Sequence, residues 1–191
     1  MPIFKIQPEW MLGNTPQVSN GKVGDGIRGN LDTVRLMQQI ARLRSRHPLV
    51  RELALRILQV AGVQSQNYYD EARAIGDYVR TKVRYVRDIQ GVETLIDPVT
   101  LIDQLRRGEA QGDCDDMSLL IASLLLSVGH SPYFRIVKYR KDAPGYSHIY
   151  VVDYDRNHGE RVKRRISLDA IMKRQPIGYE VPHAAGREFK V

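Results

Sequence analysis

The sequence predicts an α+β domain in which a block of helices comes first and packs on an antiparallel sheet. Between Leu31 and Val128, apolar residues recur at three- and four-residue spacing, the period of an amphipathic helix. After Gly129 the character changes to short runs rich in valine, isoleucine, tyrosine and phenylalanine, bounded by turn residues. The run Met117–Val128 is apolar nearly all round, which is the pattern of a buried helix at the centre of a domain.

Residues 1–30 stand apart. They hold Pro2, Pro8, Pro16 and five glycines, and they read as an extended arm with turns, ahead of a domain at 31–191. Phe4, Trp10, Met11 and Leu12 are the side chains such an arm would lay on the core or on a neighbour. Within it, Gly24-Asp25-Gly26-Ile27-Arg28-Gly29 matches G-x-G-x-x-G, but polar VSNGK precedes it where a dinucleotide site needs a strand, so a loop is expected. Helix follows from Leu31, through Val34, Met37, Ile40, Ala41 and Arg44, with Asn30 or Asp32 as cap. Pro48 suits the first turn of a second helix, striped by Leu49, Leu53, Ile57 and Val60 and closed by Gly62. A third is expected from about Tyr68 to Val86, and a fourth from Asp97-Pro98 to Gly108. Cys114–Val128 is the fifth, ended by Gly129. Strands are expected at Tyr133–Tyr139, Ser147–Tyr154 and Arg161–Leu168, the last two joined as a hairpin by the turn cluster Asp155–Gly159.

Bulk properties exclude several classes. The chain has 191 residues, long enough for one domain with a real core. No apolar run approaches the roughly 20 residues that cross a bilayer. The N-terminus lacks the basic-then-apolar layout of a secretion signal. A cytoplasmic or virion-associated protein is therefore expected. The net charge is +7, yet aromatic residues make up only 7% and do not interleave with a basic stripe, which argues against a nucleic-acid partner. A single cysteine excludes an internal disulfide framework and a polythiolate zinc site.

That cysteine lies in Gln111-Gly112-Asp113-Cys114-Asp115-Asp116, at the expected first turn of the buried helix. The positive end of the helix dipole and its unpaired N–H groups favour a thiolate there. Acyl chemistry by a thiol also needs a base, a group to orient it, and donors for the oxyanion. Of the histidines, only His148 starts a core strand, and Asp169 follows the other strand of the same hairpin. Hairpin register about the Asp155–Gly159 turn brings the two to the same open end, where Asp169 could orient the imidazole. The Cys114 backbone N–H is the natural first oxyanion donor, and Gln111, Gln90 and Tyr85 are candidates for the second. Asp113, Asp115 and Asp116 favour the helix end but oppose a thiolate beside them.

A Gly-x-Cys opening a long apolar helix, a histidine beginning a strand and a Leu-Asp ending the next strand resemble the transglutaminase-like cysteine peptidase superfamily. The likeness is closer to its phage and bacterial branch. It includes Tyr78-Val79-Arg80, Val83-Arg84-Tyr85-Val86-Arg87-Asp88, Asp97-Pro98, Gly112-Asp113-Cys114, Ser147-His148-Ile149-Tyr150-Val151, Leu168-Asp169-Ala170 and Pro176-Ile177-Gly178. The resemblance covers residues 31–180 and leaves the arm unmatched. It implies a papain-like α+β fold and a Cys114–His148–Asp169 triad of nucleophile, base/acid and orienting carboxylate. It further implies a cysteine hydrolase or acyltransferase on amide or isopeptide bonds of a protein or peptide, with no organic cofactor. Calcium-dependent bacterial relatives carry similar acidic motifs, so Asp113, Asp115 and Asp116 are candidate calcium ligands. The phage branch implies an alternative: a virion scaffold that docks on other virion proteins through residues 1–30.

Overall fold

A computed structural model of the chain describes residues 18–21, 26–87, 93–154 and 164–191. The expected arm therefore lies mostly outside the described residues, including Phe4, Trp10, Met11 and Leu12, as do Gln90 and the Asp155–Gly159 turn.

In chain order the elements are β1 (Val18–Gly21), α1 (Gly26–Arg44), α2 (Pro48–Val60), α3 (Tyr68–Lys82), β2 (Arg84–Tyr85), β3 (Glu93–Ile96) and α4 (Pro98–Arg107). Then come β4 (Gln111–Gly112), α5 (Cys114–Ser127), β5 (Tyr133–Lys138), β6 (His148–Tyr154), β7 (Arg165–Leu168) and β8 (Ala185–Lys190). The protein is an α+β domain with helices packed on an antiparallel sheet, as the apolar pattern predicts. That sheet has four strands in the order β7-β6-β5-β8. Helix α5 is its axis: α1, α2, α3 and α4 pack around it, and β6 lies against it. Met117, Leu119, Leu120, Ile121, Leu124 and Leu125 are all buried, so the helix is apolar on every side because every side is covered.

Local signals set several ends where expected. Asp97 caps α4, its Oδ1 accepting from the Val99 N–H at 2.8 Å. Gly108 closes the same helix in the left-handed region, at φ 73°. Pro48 opens α2.

Val18–Gly21, where polar VSNGK argues against a strand, forms β1 antiparallel to β3, and three further features depart from expectation. Helix α1 begins at Gly26, ahead of Leu31, so Gly26-Ile27-Arg28-Gly29 is helical and not loop. Neither Asn30 nor Asp32 is a cap, since both lie inside that helix. Helix α3 stops at Lys82 and does not reach Val86. There the Arg84 N–H donates to Ala110 O and the Val86 N–H to Gly112 O, both at 2.9 Å, so pairing with β4 replaces the last helical turn. The third of these is at residues 185–190, which had no assigned structure and form edge strand β8 on β5. Arg44, on the apolar face of α1 as its spacing implies, is buried, and its Nε donates to Asp97 Oδ2 at 2.6 Å. One carboxylate thus caps α4 and neutralises the end of α1.

The sheet has two different faces. Ile149 and Val151 of β6 join the main core beneath the helices. Tyr150 and Val152 point the other way and form a smaller cluster with Val137, flanked by Tyr154. His148 shares the outer face with Tyr150 by strand alternation, and Asp153 shares the inner face with Val151. Among the described residues, no helix is long and apolar enough to cross a membrane.

Candidate functional site

Cys114 is the first residue of α5, and its neighbours explain the motif around it. Asp113 Oδ1 accepts from the N–H groups of Asp115 (2.9 Å) and Asp116 (3.4 Å). Asp116 Oδ2 reaches back to the Asp113 N–H at 3.1 Å, completing a capping box. The other Asp116 oxygen accepts from the Ile96 N–H at 2.7 Å, which ties β3 to the helix start. Gly112 is required by closeness: a Cβ there would lie 2.7 Å from the Asp116 Cβ. Among the described residues the Cys114 N–H makes no hydrogen bond, so a first-turn donor remains beside the sulfur.

The thiol is held in its protonated form. Its pKa is pushed well above the ordinary value, first by burial and then by the Asp115 and Asp113 carboxylates. The Ile149 N–H, donating toward Sγ, opposes them and is outweighed. Sγ–H donates to Asp115 Oδ1 at 3.4 Å. The acidic flank therefore works against the thiolate, as the sequence pattern implies.

His148 begins β6 and is buried. Its Nε2–H donates to Asp169 Oδ2 at 2.7 Å. Strand register explains the meeting: Val151 pairs with Leu168, so residues before Val151 and after Leu168 share one end of the hairpin. Asp169 Oδ1 is held in turn by the Ile171 N–H at 3.3 Å. An ionised carboxylate on Nε2 places the proton there and leaves Nδ1 as the lone-pair nitrogen. Nδ1 makes no hydrogen bond among the described residues. Sγ lies at the N–H of the next residue, Ile149, so the thiol and the imidazole occupy one end of β6.

The start of β6 is clamped from a distance. The Asn30 side chain accepts from the Tyr146 N–H (2.9 Å) and donates to the Tyr146 carbonyl (3.1 Å). A Cβ on Gly145 would meet Asn30 Oδ1 at 2.7 Å, so glycine admits the clamp.

The expected second donors divide. Gln111 is exposed in β4, and its Oε1 accepts from Arg84. Tyr85 is 40% exposed, and its hydroxyl pKa is raised by burial, then by Cys114 and Asp113. It therefore stays a donor near the sulfur. Gln90 lies outside the described residues. Tyr139, which nothing in the sequence singled out, stacks on His148 with ring centroids 6.2 Å apart and planes 13° apart. Burial, Asp169, Cys114 and Tyr85 push its pKa up to about 12. Its only sequence signal is an aromatic just past the strand that pairs with His148.

The residues expected as calcium ligands divide. Ligand atoms of Asp113, Cys114 and Asp115 lie within 4.8 Å of one another, whereas each Asp116 oxygen accepts from a backbone N–H. Calcium takes six to eight oxygens, so carbonyls or water would have to complete such a set.

No protein-family profile matches the chain, and no curated protein sequence matches it. Solved structures do resemble it. A protein of Parabacteroides distasonis, provisionally described as a protease, superposes with a TM-score of 0.46 at 14% identity over 72% of this chain. A provisionally described cysteine protease of Cytophaga hutchinsonii gives 0.43 and 18% over 73%. The matched part spans only 29% and 46% of those two chains.

Proposed function

We propose that the protein is a cysteine-dependent hydrolase acting on an amide or isopeptide bond, of the transglutaminase-like kind that its motifs resemble. What supports this reading is the His148 imidazole, tied to Asp169 through Nε2 with Nδ1 unspent, at the same end of β6 as the Cys114 thiol at a helix start.

In this reading Nδ1 takes the Cys114 proton as Sγ attacks the carbonyl carbon. A preformed ion pair is not required, since the resting site favours the neutral thiol. The Cys114 N–H and the Tyr85 hydroxyl donate to the oxyanion as the carbonyl π bond opens. Collapse of the tetrahedral species expels the amine, which takes its proton from His148, and leaves a thioester on Cys114. Water then attacks the thioester with His148 again as base, releasing the acid and the thiol. An amine that reaches the thioester first would give acyl transfer by the same steps. Asp169 holds the tautomer that makes Nδ1 the base.

An electrophilic thiol reagent tests this. Iodoacetamide should modify Cys114 in the folded protein, His148→Ala should slow that reaction, and Cys114→Ser should abolish it. Equal rates in wild type and His148→Ala across acid to alkaline pH would defeat the reading.

A further inference from the structure

Most exposed hydrophobic side chains on a protein stand singly and mean little. Here the large ones among the described residues are Ile27, Leu55, Val60, Tyr85, Val86 and Tyr139. Tyr85 and Tyr139 share one location. Tyr85 pairs with Gly112 in the β2–β4 bridge, two residues from Cys114, and its hydroxyl lies near the sulfur. The next side chain, Val86, points away from it by strand alternation. Tyr139 follows β5, whose Val137 pairs with His148, and its ring lies nearly parallel to the imidazole. It therefore stands on the sheet side of the same thiol. Tyr85 is 40% and Tyr139 44% exposed. The nucleophile thus lies between two half-exposed apolar borders.

The Asp115 and Asp113 carboxylates are the charges that act most on the sulfur, while the Arg87 guanidinium acts on Tyr85. Asp113 and Asp115 flank Cys114, and Asp169 lies behind His148. An anionic group entering between the borders would meet carboxylates in a partly desolvated setting, where repulsion is strong. An apolar or aromatic side chain would instead cover the rings of Tyr139 and Tyr85 and remove their surface from water.

We propose that Tyr139, with Tyr85 opposite, forms the subsite for an uncharged apolar or aromatic side chain on the acyl side of a peptide substrate. The subsite rests on the hydrolase reading and names the substrate class that reading leaves open. Tyr139 acts in it through its ring face. The hydroxyl is dispensable.

The test uses N-acetylaminoacyl chloromethyl ketones with phenylalanyl, glycyl or glutamyl side chains. Their carbonyl sits where the attacked carbonyl would, and alkylation of Cys114 with loss of chloride reports binding. Wild type should react with the phenylalanyl reagent at least about tenfold faster than with the glycyl one, the discrimination expected of a hydrophobic pocket. The glutamyl reagent should be slowest. Tyr139→Ala should bring the phenylalanyl-to-glycyl ratio close to one, and Tyr139→Phe should keep it. Because the side chain is half-exposed, both variants should fold, which circular dichroism would verify. Equal phenylalanyl and glycyl rates in wild type, or an unchanged ratio in Tyr139→Ala, would overturn the subsite and leave the hydrolase reading standing. Failure of every reagent to modify Cys114 at any pH would overturn both.

Discussion

Among the described residues, two histidines are buried beside carboxylates, and both are tied to strand β6. His148 is the first residue of that strand and reaches Asp169 with Nε2 at 2.7 Å. His130 lies on the inner face, where its Nδ1 meets Asp153 of the same strand at 2.5 Å and its Nε2 meets Glu71 of α3 at 2.9 Å. The residue types are alike, but the number of free nitrogens differs. His130 has both nitrogens bound, sits under the ring edge of Tyr68, and has nothing left to offer a substrate. Burial alone would lower its pKa, but the hydrogen bonds and charges of Asp153 and Glu71 outweigh burial and raise it. It is a structural imidazolium. His148 has one nitrogen spent and one unspent, and it starts the strand whose second residue turns its N–H to the Cys114 sulfur. A buried histidine with a carboxylate partner is therefore no indicator of chemistry; the unspent nitrogen is.

The largest expected effect separates the two by rate. His148→Ala should lower acylation of Cys114 by on the order of a hundredfold to ten-thousandfold, the usual contribution of a general base. Its thermal midpoint should also fall, since Asp169 is left buried without its partner, so the rates are compared well below both midpoints. His130→Ala, provided it remains folded, should retain most of the acylation rate. A matching loss of rate in both variants would erase the distinction.

Next in size is stability. His130→Ala leaves the Asp153 and Glu71 carboxylates buried without their shared cation and should cost about 3 kcal/mol in urea unfolding. The sign with pH follows from the raised folded pKa. The His130 contribution is fully present below the unfolded value near 6.5 and is lost as pH rises through the higher folded value. The stability gap between wild type and His130→Gln should therefore narrow from neutral toward alkaline pH. A gap that widens over that range would refute the imidazolium assignment.

The smallest effect concerns the thiol. Burial and then Asp115 hold its pKa up. Asp115→Asn should make alkylation by iodoacetamide severalfold faster at neutral pH and move the alkaline limb of the profile to lower pH. Unchanged kinetics would show that burial alone holds the proton on Cys114.

Much of this was legible in the chain because the signals were local. Apolar periodicity marks α2, α4 and α5, and Pro48, Asp97, Gly108 and Gly129 end elements by their own backbone preferences. The hairpin register that brings His148 to Asp169 follows from alternation once the strands are recognised. What stayed hidden depended on partners far away in sequence. Val83 to Val86 continue the helical pattern of α3, yet β4 claims them as a strand. Strand β8 is mostly exposed and has no periodicity to announce it; pairing with β5 makes it. Arg44 shares the apolar spacing of α1, and only its meeting with Asp97 shows what neutralises it there. The two roles of Asp116, in the cap and on the Ile96 N–H, show only when β3 is in place.

The sequence by itself determined the α+β layout, the buried helix and the chain order of Cys114, His148 and Asp169, because periodicity, capping and turn chemistry act over a few residues. Tertiary structure alone decided which nitrogen of which histidine is left unspent, which aspartate faces the sulfur and that Tyr139 lies over His148. Those depend on hydrogen bonds and burial between segments that only the folded chain brings together.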